Sequence, residues 1–356
     1  MAPLITAVCS EIGRGHPQYL DSVLEALRRQ GITDIPRVVP RWLLPRVAYR
    51  LGARGGPLSA LYARARSGTP SRALLGMLDE GLRCRFQDHP GTVLVDHPLL
   101  AHLLGPVCRV GYVHGEIAAP GATAVPEAWR TFVPLPETAS RLAEAGVPRE
   151  RLLTTGLLIE PEIADIAGLA LSARLPRLAR NVPLSIAFFS SGAYPRPHLR
   201  LIAAALRSCL EAGYRATLFC GPEPRLMRRL APGTRPGLRL VSEPTRRAEN
   251  ARTAELFPEL DLAVAPAHER VNWAVGLGLP LFILEPDIGP FAPLNRAHAL
   301  QAGVARPLGG IAGAHGFGPA LSRLRAEGRL ATMAEAGWGR IPVNGADAIA
   351  SSLLAG

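Results

Sequence analysis

The sequence predicts an α/β protein of two Rossmann-like domains that face a cleft. Short apolar runs alternate with longer amphipathic runs along the chain, which is typical of parallel sheets covered by helices. The alternation restarts after a segment rich in Ala, Leu, Arg and Pro, and a length of 356 residues suits two domains. We therefore predict a first domain over 1–160, a linker over 161–182 and a second domain over 183–356.

Each half has its own series of strands and helices. Leu20, Val23, Leu24 and Leu27 recur on one face of a helix over 17–29, and Gly146 is suited to end a helix over 136–145. The predicted strands of the first half are 4–9, 92–96, 109–113 and 131–133. The second half is predicted to hold strands 184–189, 216–220, 238–241, 260–265 and 281–284 and helices 198–212, 269–277 and 295–302. In such folds ligands bind beyond the carboxyl ends of the strands.

The net charge is +11, and arginine alone carries the positive charge, because the chain contains no lysine. A GC-rich genome explains the missing lysines, since Ala, Gly, Pro and Arg are all abundant. A phosphate-binding surface is the alternative, because a guanidinium makes planar bidentate contacts that an ammonium cannot. Phosphate binding must therefore be judged from the positions of the arginines in the sequence and not from their number.

Composition excludes several classes of protein. Aromatic residues make up only 5% of the chain, which argues against a stacking platform for single-stranded nucleic acid, so we expect no nucleic-acid partner. Five scattered cysteines without a CxxC pair exclude a disulfide framework or a standard zinc knuckle and fit a reducing compartment. A basic signal-peptide start and an apolar membrane span are both absent from the sequence. We expect a cytoplasmic protein that can dock only peripherally, at the inner membrane face.

One basic segment breaks the alternation. Between Asp34 and Asp79 the chain has eight arginines and no acidic residue, and the arginines alternate with Trp, Tyr, Leu and Val over 37–72. Such a composition suits a helix at an anionic membrane surface. An ordinary helical hairpin with its arginines in water is the alternative. The predicted membrane or acceptor patch consists of Arg41, Trp42, Arg46, Arg50 and Arg54.

A glycine-containing turn follows the first predicted strand. Gly13, Gly15 and His16 stand between that strand and the first helix, where a Rossmann-like domain places its ligand-binding turn. The pattern is not GxGxxG, because Gln18 occupies the third glycine position, and a dehydrogenase is disfavoured. A histidine at the mouth of the cleft is suited to act as a general base. A capping or structural histidine is the alternative.

The second domain offers an equivalent turn. Ser190, Ser191 and Gly192 follow strand 184–189, and small hydroxyl and glycine residues there suit a diphosphate, which backbone N–H groups can bind. A plain strand-to-helix turn is the alternative.

A third cluster opens the helix predicted over 269–277. His268, Glu269, Arg270 and Asn272 provide four polar side chains within five residues, and Gly-Leu-Pro at 278–280 leads into the next strand. A helix start favours anions and needs only one capping residue, so this density predicts a sugar- or phosphate-binding site. Asn295 follows downstream.

His114 and Glu116 follow strand 109–113 and point toward the cleft by topology. They are reserve candidates for acid–base catalysis beside His16. The histidines show no HxH or HxxxH spacing, so we predict no metal site and no metal cofactor.

The order of these motifs resembles the GT-B glycosyltransferases, above all the MurG-like group that contains monogalactosyldiacylglycerol synthase and the N-acetylglucosaminyltransferase of peptidoglycan synthesis. The resemblance is diffuse but spans nearly the whole chain. Further matching stretches are Val113-His114, residues 132–138, and Ala145-Gly146-Val147-Pro148 followed by Thr155-Gly156, which are similar to the family's run into its hinge. The basic segment resembles the lipid-facing part of diacylglycerol glycosyltransferases.

The resemblance implies an acceptor-side first domain and a donor-side second domain. It implies that the residues near the donor are Gly13, Gly15, Ser190, Ser191, Gly192, His268, Glu269, Arg270, Asn272 and Asn295. One departure concerns the donor ribose. The family carries a glutamate five residues before the glycine of its GxP, and this chain has Trp273 there.

The sequence therefore predicts an inverting, metal-independent glycosyltransferase that uses a nucleotide-diphosphate sugar, with UDP-sugar as the leading donor and a small molecule or lipid as acceptor. His16 is the predicted base. A nucleotide-sugar 2-epimerase is the alternative enzyme, for which Glu116, His268 and Glu269 provide acids and bases. A non-catalytic nucleotide-binding protein of the same fold is the third hypothesis.

Overall fold

A computed structural model describes residues 4–56, 59, 64, 68–221, 230 and 235–355. Within these ranges the chain forms two parallel six-stranded sheets with helices packed on both faces. Six of the twelve strands in these ranges are buried along their whole length, which explains why those six are continuous apolar runs in the sequence. The prediction of a two-domain α/β architecture is confirmed.

The first sheet has the order β2-β1-β3-β4-β5-β6. Its strands are β1 Ile5–Val8, β2 Arg37–Val38, β3 Thr92–Val95, β4 Val110–Val113, β5 Arg130–Val133 and β6 Leu152–Thr154. Its helices are α1 Gly15–Arg29, α2 Leu43–Gly52, α3 Arg72–Leu78, α4 Leu82–Phe86, α5 Pro98–Leu104 and α6 Pro136–Glu144. β2 lies on one side of β1, and β3 to β6 follow on the other side. The strand order therefore reverses between β1 and β3, which places the crevice of this sheet at the carboxyl ends of those two strands.

The second sheet has the order β12-β11-β10-β7-β8-β9. Its strands are β7 Ser185–Phe189, β8 Arg215–Phe219, β9 Leu238–Val241, β10 Leu262–Ala265, β11 Leu281–Ile283 and β12 Ala305–Pro307. The remaining helices are α7 Pro161–Ala164, α8 Ala167–Ala179, α9 Arg196–Glu211, α10 Arg246–Leu256, α11 Arg270–Leu277, α12 Ala292–Gln301, α13 Gly310–His315, α14 Phe317–Ala326, α15 Arg329–Ala336 and α16 Gly345–Ala355. β8 and β9 lie on one side of β7, and β10 to β12 lie on the other. The strand order therefore reverses between β7 and β10, which places a second crevice at the carboxyl ends of these strands.

Two segments differ from the predicted division of the chain. The segment predicted as a linker is helical, and Arg174 of α8 is buried and donates hydrogen bonds to the carbonyls of Leu260 at 2.8 Å and Leu277 at 2.9 Å, which fixes α8 to the second domain. The last helix, α16, packs its buried apolar face against α1 of the first domain. The second domain therefore ends before α16, and the chain crosses between the domains twice.

The edge strands β2, β6 and β12 are absent from the predicted elements, because two or three residues give no readable alternation. In the described part of the chain, no helix is long and apolar enough to cross a membrane.

Candidate active site

Loops from both sheets close around one cleft. Eight of the predicted site residues line this cavity: Gly13, Gly15, His16, Glu116, Ser191, Gly192, His268 and Glu269. They follow β1, β4, β7 and β10, so both crevices contribute. The loop before α12 adds Ile288 and Phe291. The topology thus brings together eight of the thirteen catalytic and donor-binding residues that the sequence singled out.

Gly15 allows two carboxylates to approach the backbone of the first turn. A Cβ on Gly15 would lie 3.2 Å from Glu269 Oε2 and 3.7 Å from Glu116 Oε1. A larger residue there would press against both acids. One carboxylate comes from each domain, so the floor of the cleft is acidic and shared.

Glu116 is an acid that holds its proton at neutral pH. Burial raises the pKa of this carboxyl to about 8, with the nearby charge of Glu269 acting in the same direction. Asn295 Nδ2 donates to Glu116 Oε2 at 2.8 Å and keeps the carboxyl in place. Such a group is suited to give or take a proton near pH 7.

His114, Asn272 and Asn295 hold the loop that carries Glu116. The Nε2 atom of His114 donates to the carbonyl of Ala118 at 3.0 Å, and its Nδ1 accepts from the Tyr112 hydroxyl at 3.2 Å. Burial lowers the pKa of His114 to about 4, so the ring stays neutral. Both nitrogens are engaged, which makes His114 a support for the loop.

The two asparagines join the domains across this loop. Asn272 Nδ2 donates to the carbonyl of Gly115 at 3.1 Å, and Asn295 Oδ1 accepts from the amide of Ala118 at 3.1 Å. Neither side chain lines the cleft. In this structure they serve the domain interface, where the sequence suggested donor contacts.

His16 lies at the first-domain wall of the cleft. Its ring packs edge-to-face on His97, with 5.1 Å between the centroids, and on Phe291, with 5.5 Å. His97 is the N-cap residue before α5, and its Nδ1 accepts from the amide of Leu99 at 3.2 Å. The aromatic contacts fix the orientation of the His16 ring toward the cavity.

Arg270 is turned away from the cleft. It pairs with Glu160 at 3.3 Å, and its guanidinium lies 3.9 Å from the Trp273 ring centroid and 4.7 Å from that of Phe189. Trp273 Nε1 donates to the second oxygen of Glu160 at 3.0 Å. Trp273 is therefore buried in a contact between α11 and the segment that precedes α7. This arrangement uses Arg270 to neutralise Glu160.

The turn after β7 contributes Ser191 and Gly192 to the cleft. Ser190 lies behind them. Its Oγ is buried and has no hydrogen-bond partner among the described residues.

Two residues of the site were missed by the sequence analysis. Asp96, directly after β3, is buried and accepts from both the amide of Ser10 at 2.9 Å and its hydroxyl at 3.0 Å. Ser10 Oγ in turn accepts from the amide of Ile12 at 3.2 Å, so Asp96 braces the first turn. Arg14 projects from this turn into the second domain and pairs with Glu249. A charged residue flanked by the glycines of a ligand-binding turn was the available signal.

The predicted membrane patch needs correction at Trp42 and Arg46. Trp42 is 1% exposed and its Nε1 donates to the carbonyl of Leu78 at 2.7 Å, so it belongs to the core of the first domain. Arg46 donates to the carbonyls of Pro40 at 2.7 Å and Ser10 at 3.3 Å. Arg41, Arg50 and Arg54 are exposed. Residues 57–58, 60–63 and 65–67 of the basic segment lie outside the described residues.

The exposed face of α2 is apolar. Leu43 and Leu44 are 73% and 79% exposed, and Val47 and Leu51 continue the same stripe. Leu44 and Ala48 line a groove with Leu74, Met77 and Leu99. This apolar groove meets the cleft at Ile12, Pro290 and Phe291, which line both cavities.

Over the ranges given above, no group of three or more His, Cys, Asp or Glu side chains is placed to hold a metal ion.

Comparison with solved structures identifies the fold. The chain is similar to the UDP-GlcNAc 2-epimerase of Neisseria meningitidis bound to UDP-GlcNAc, with a TM-score of 0.61 and 13% identity over 99% of this chain and 100% of the other. It is similar to S. aureus MnaA with UDP, with a TM-score of 0.59 and 16% identity over 98% and 93% of the two chains. Acinetobacter baumannii MurG gives a TM-score of 0.56 and 12% identity over 98% of each chain.

The chain therefore has a GT-B-like fold of two facing α/β domains, as the sequence predicted. The resemblance to the MurG-like enzymes holds at the level of this fold. No protein-family model matches the sequence, and no curated protein matches it significantly.

Proposed function

We propose that the protein is a glycosyltransferase that moves a sugar from a nucleotide-diphosphate sugar to a hydroxyl of an acceptor with an apolar part. The observation that supports this is the apolar groove, which opens onto the cleft at Ile12, Pro290 and Phe291. A transfer reaction needs a place for a second substrate next to the reacting groups, whereas an isomerisation needs none. The similar structures include enzymes whose ligands are UDP and UDP-GlcNAc, which favours a uridine nucleotide as donor.

In this proposal His16 is the general base. It takes the proton of the acceptor hydroxyl, the hydroxyl oxygen bonds to the anomeric carbon, and the bond from that carbon to the diphosphate breaks. The diphosphate leaves with the electron pair, and the configuration is inverted. His16 suits this task because it lines the cleft while its ring contacts His97, which lines the groove.

The test is a transfer assay with two substrates. Purified protein is incubated with UDP-GlcNAc, UDP-glucose or UDP-galactose, with and without diacylglycerol or a long-chain alkyl glycoside, and UDP release and products are measured by mass spectrometry. We expect UDP release that depends on the acceptor and a glycosylated acceptor as product. Donor binding without transfer to any apolar acceptor would contradict the proposal.

A 2-epimerase is the second candidate, and one observation favours it. Glu116 and Glu269 reach the same point of the cleft from opposite domains, and Glu116 is protonated at neutral pH. Inversion at C2 of a sugar requires one group to remove the C2 proton and a second group to return a proton on the opposite face, and a pair of carboxyl groups of which one is protonated is suited to these two roles. Incubation with UDP-GlcNAc in D₂O without acceptor distinguishes the two. An epimerase forms the C2 epimer and incorporates deuterium at C2, and a glycosyltransferase leaves the sugar unchanged.

A further inference from the structure

Arg14 crosses from the first domain into the second. It stands in the turn between β1 and α1, and its guanidinium pairs with Glu249 of α10. Arg14 lines the cleft on one side and, on the other, a charged cavity that also includes Arg246. The Arg14 side chain thus lies between the cleft and the charged cavity at the domain interface.

Two glycines of the second domain make room for this side chain. A Cβ on Gly192, in the turn after β7, would lie 2.8 Å from Arg14 Cγ. A Cβ on Gly221, the second residue after β8, would lie 1.8 Å from an Arg14 Nη atom. Any other residue at either position would displace the arginine. The guanidinium therefore rests at the carboxyl ends of two parallel strands, where α/β domains bind ligands.

The cleft has few other positive charges. Arg14 is the one arginine among the described residues that line it, and the chain contains no lysine. Arg270, the cation that the sequence favoured, is paired with Glu160. Burial lowers the pKa of His268, so that ring is neutral at pH 7. A diphosphate that enters beside Glu269 needs a cation, and the position of Arg14 provides one.

We propose that Arg14 binds the diphosphate of the nucleotide donor across the domain interface and that Glu249 holds the same guanidinium when no donor is bound. This inference rests on the proposed use of a nucleotide-diphosphate substrate. Glu249 and the donor then compete for one cation. Replacing Arg14 must therefore weaken donor binding, whereas replacing Glu249 must strengthen it.

The experiment is a double-mutant cycle in which isothermal titration calorimetry measures the binding affinity. Wild type, Arg14→Gln, Glu249→Gln and the double variant are titrated with UDP and, separately, with uridine, which lacks phosphates. We expect Arg14→Gln to weaken UDP binding about tenfold or more, the usual effect of losing a hydrogen bond to a charged group, and to leave uridine binding unchanged. Glu249→Gln should strengthen UDP binding several-fold. The double variant should bind UDP as weakly as Arg14→Gln.

An ion pair that only holds the domains together gives a different result. Both single variants would then change UDP binding in the same direction and would affect uridine equally, which would overturn the inference. Arg246→Gln is the matched control, because Arg246 pairs with Glu11 and Asp21 across the same interface without lining the cleft. We expect it to affect UDP and uridine alike. Thermal unfolding of every variant verifies that it is folded.

The result also separates this inference from the proposed function. If wild type binds none of UDP, ADP, GDP and CDP, the proposed function is wrong and the role of Arg14 falls with it. If wild type binds UDP and Arg14→Gln binds it equally well, only the role of Arg14 is wrong.

Discussion

Asn295 of the second domain donates a hydrogen bond at 2.8 Å to Glu116 of the first. The same asparagine accepts from the amide of Ala118 at 3.1 Å and donates to the carbonyl of Ala267 at 3.2 Å. One amide side chain of α12 thereby connects the loop after β4 with the segment after β10. The carboxyl of Glu116 is buried at this junction.

The raised pKa of the Glu116 carboxyl should make the protein less stable as the pH rises. The pKa of its carboxyl is raised from 4.5 to about 8, so the native state binds more protons than the unfolded chain between these values. The free energy of unfolding therefore falls from about pH 5 to pH 8, by on the order of a few kcal/mol from this group. Urea unfolding across this range should show a steeper fall for wild type than for Glu116→Gln. Parallel curves would contradict the raised pKa.

His16→Ala should lower turnover about 10²- to 10⁴-fold, the usual range for loss of a general base. Donor affinity should change little, because the base acts on the acceptor hydroxyl. Initial rates at saturating donor and acceptor measure the effect. His315→Ala is the control, since His315 is exposed on α13. A rate for His16→Ala equal to that of the control would remove His16 from the mechanism.

The strands and turns of the cleft were predictable because they depend on local chemistry. Four-residue apolar runs produced β1 and β4, and glycine and serine residues after β1 and β7 marked the turns. The roles of the polar side chains were less predictable. The amides of Asn272 and Asn295 can bind a sugar hydroxyl or a backbone carbonyl equally well, and only the facing domain decides.

Contacts between residues distant in the sequence explain the other differences between the predicted and the observed site. Trp42 among arginines has the composition of a membrane-surface element, but its indole bonds to Leu78, which is distant in the sequence. Arg270 was assigned to a phosphate because Glu160, its partner, lies in the other half of the chain. Such partners carry no local signal.

The contact of Glu160 with Arg270 and Trp273 should be important for stability. Its carboxylate accepts from Trp273 and pairs with Arg270, and both members of the ion pair are largely buried. Glu160→Ala leaves the Arg270 charge without its partner, so we expect a loss of about 3–5 kcal/mol of unfolding free energy. Glu259→Ala, which breaks the exposed pair with Arg239, should cost less than about 1 kcal/mol. Similar losses in the two variants would contradict a special role for the buried Glu160 pair.

The apolar groove should determine acceptor affinity. Met77 lines it and is 73% exposed. Met77→Gln should raise the acceptor KM roughly tenfold, since burial of one such side chain stabilises a complex by about 1.5–3 kcal/mol, and should leave the donor KM unchanged. Leu169→Gln is the matched control, because Leu169 is 65% exposed on α8 and lies outside the groove. Equal acceptor KM values for the two variants would place the acceptor elsewhere.

The exposed face of α2 should bind anionic membranes. Leu43 and Leu44 project from it beside the exposed Arg41, Arg50 and Arg54, which suits a helix that lies in the headgroup region. Flotation with vesicles of phosphatidylcholine, alone and mixed with phosphatidylglycerol, measures binding. Charge reversal at the three arginines should lower the bound fraction at least about tenfold, because each contributes about 1 kcal/mol near an anionic surface. Leu43→Ser with Leu44→Ser should have a similar effect. Charge reversal of Arg149, Arg207 and Arg323, which are exposed elsewhere, is the control. Equal flotation of this control and the α2 charge variant would show that net charge, and not this helix, governs the interaction.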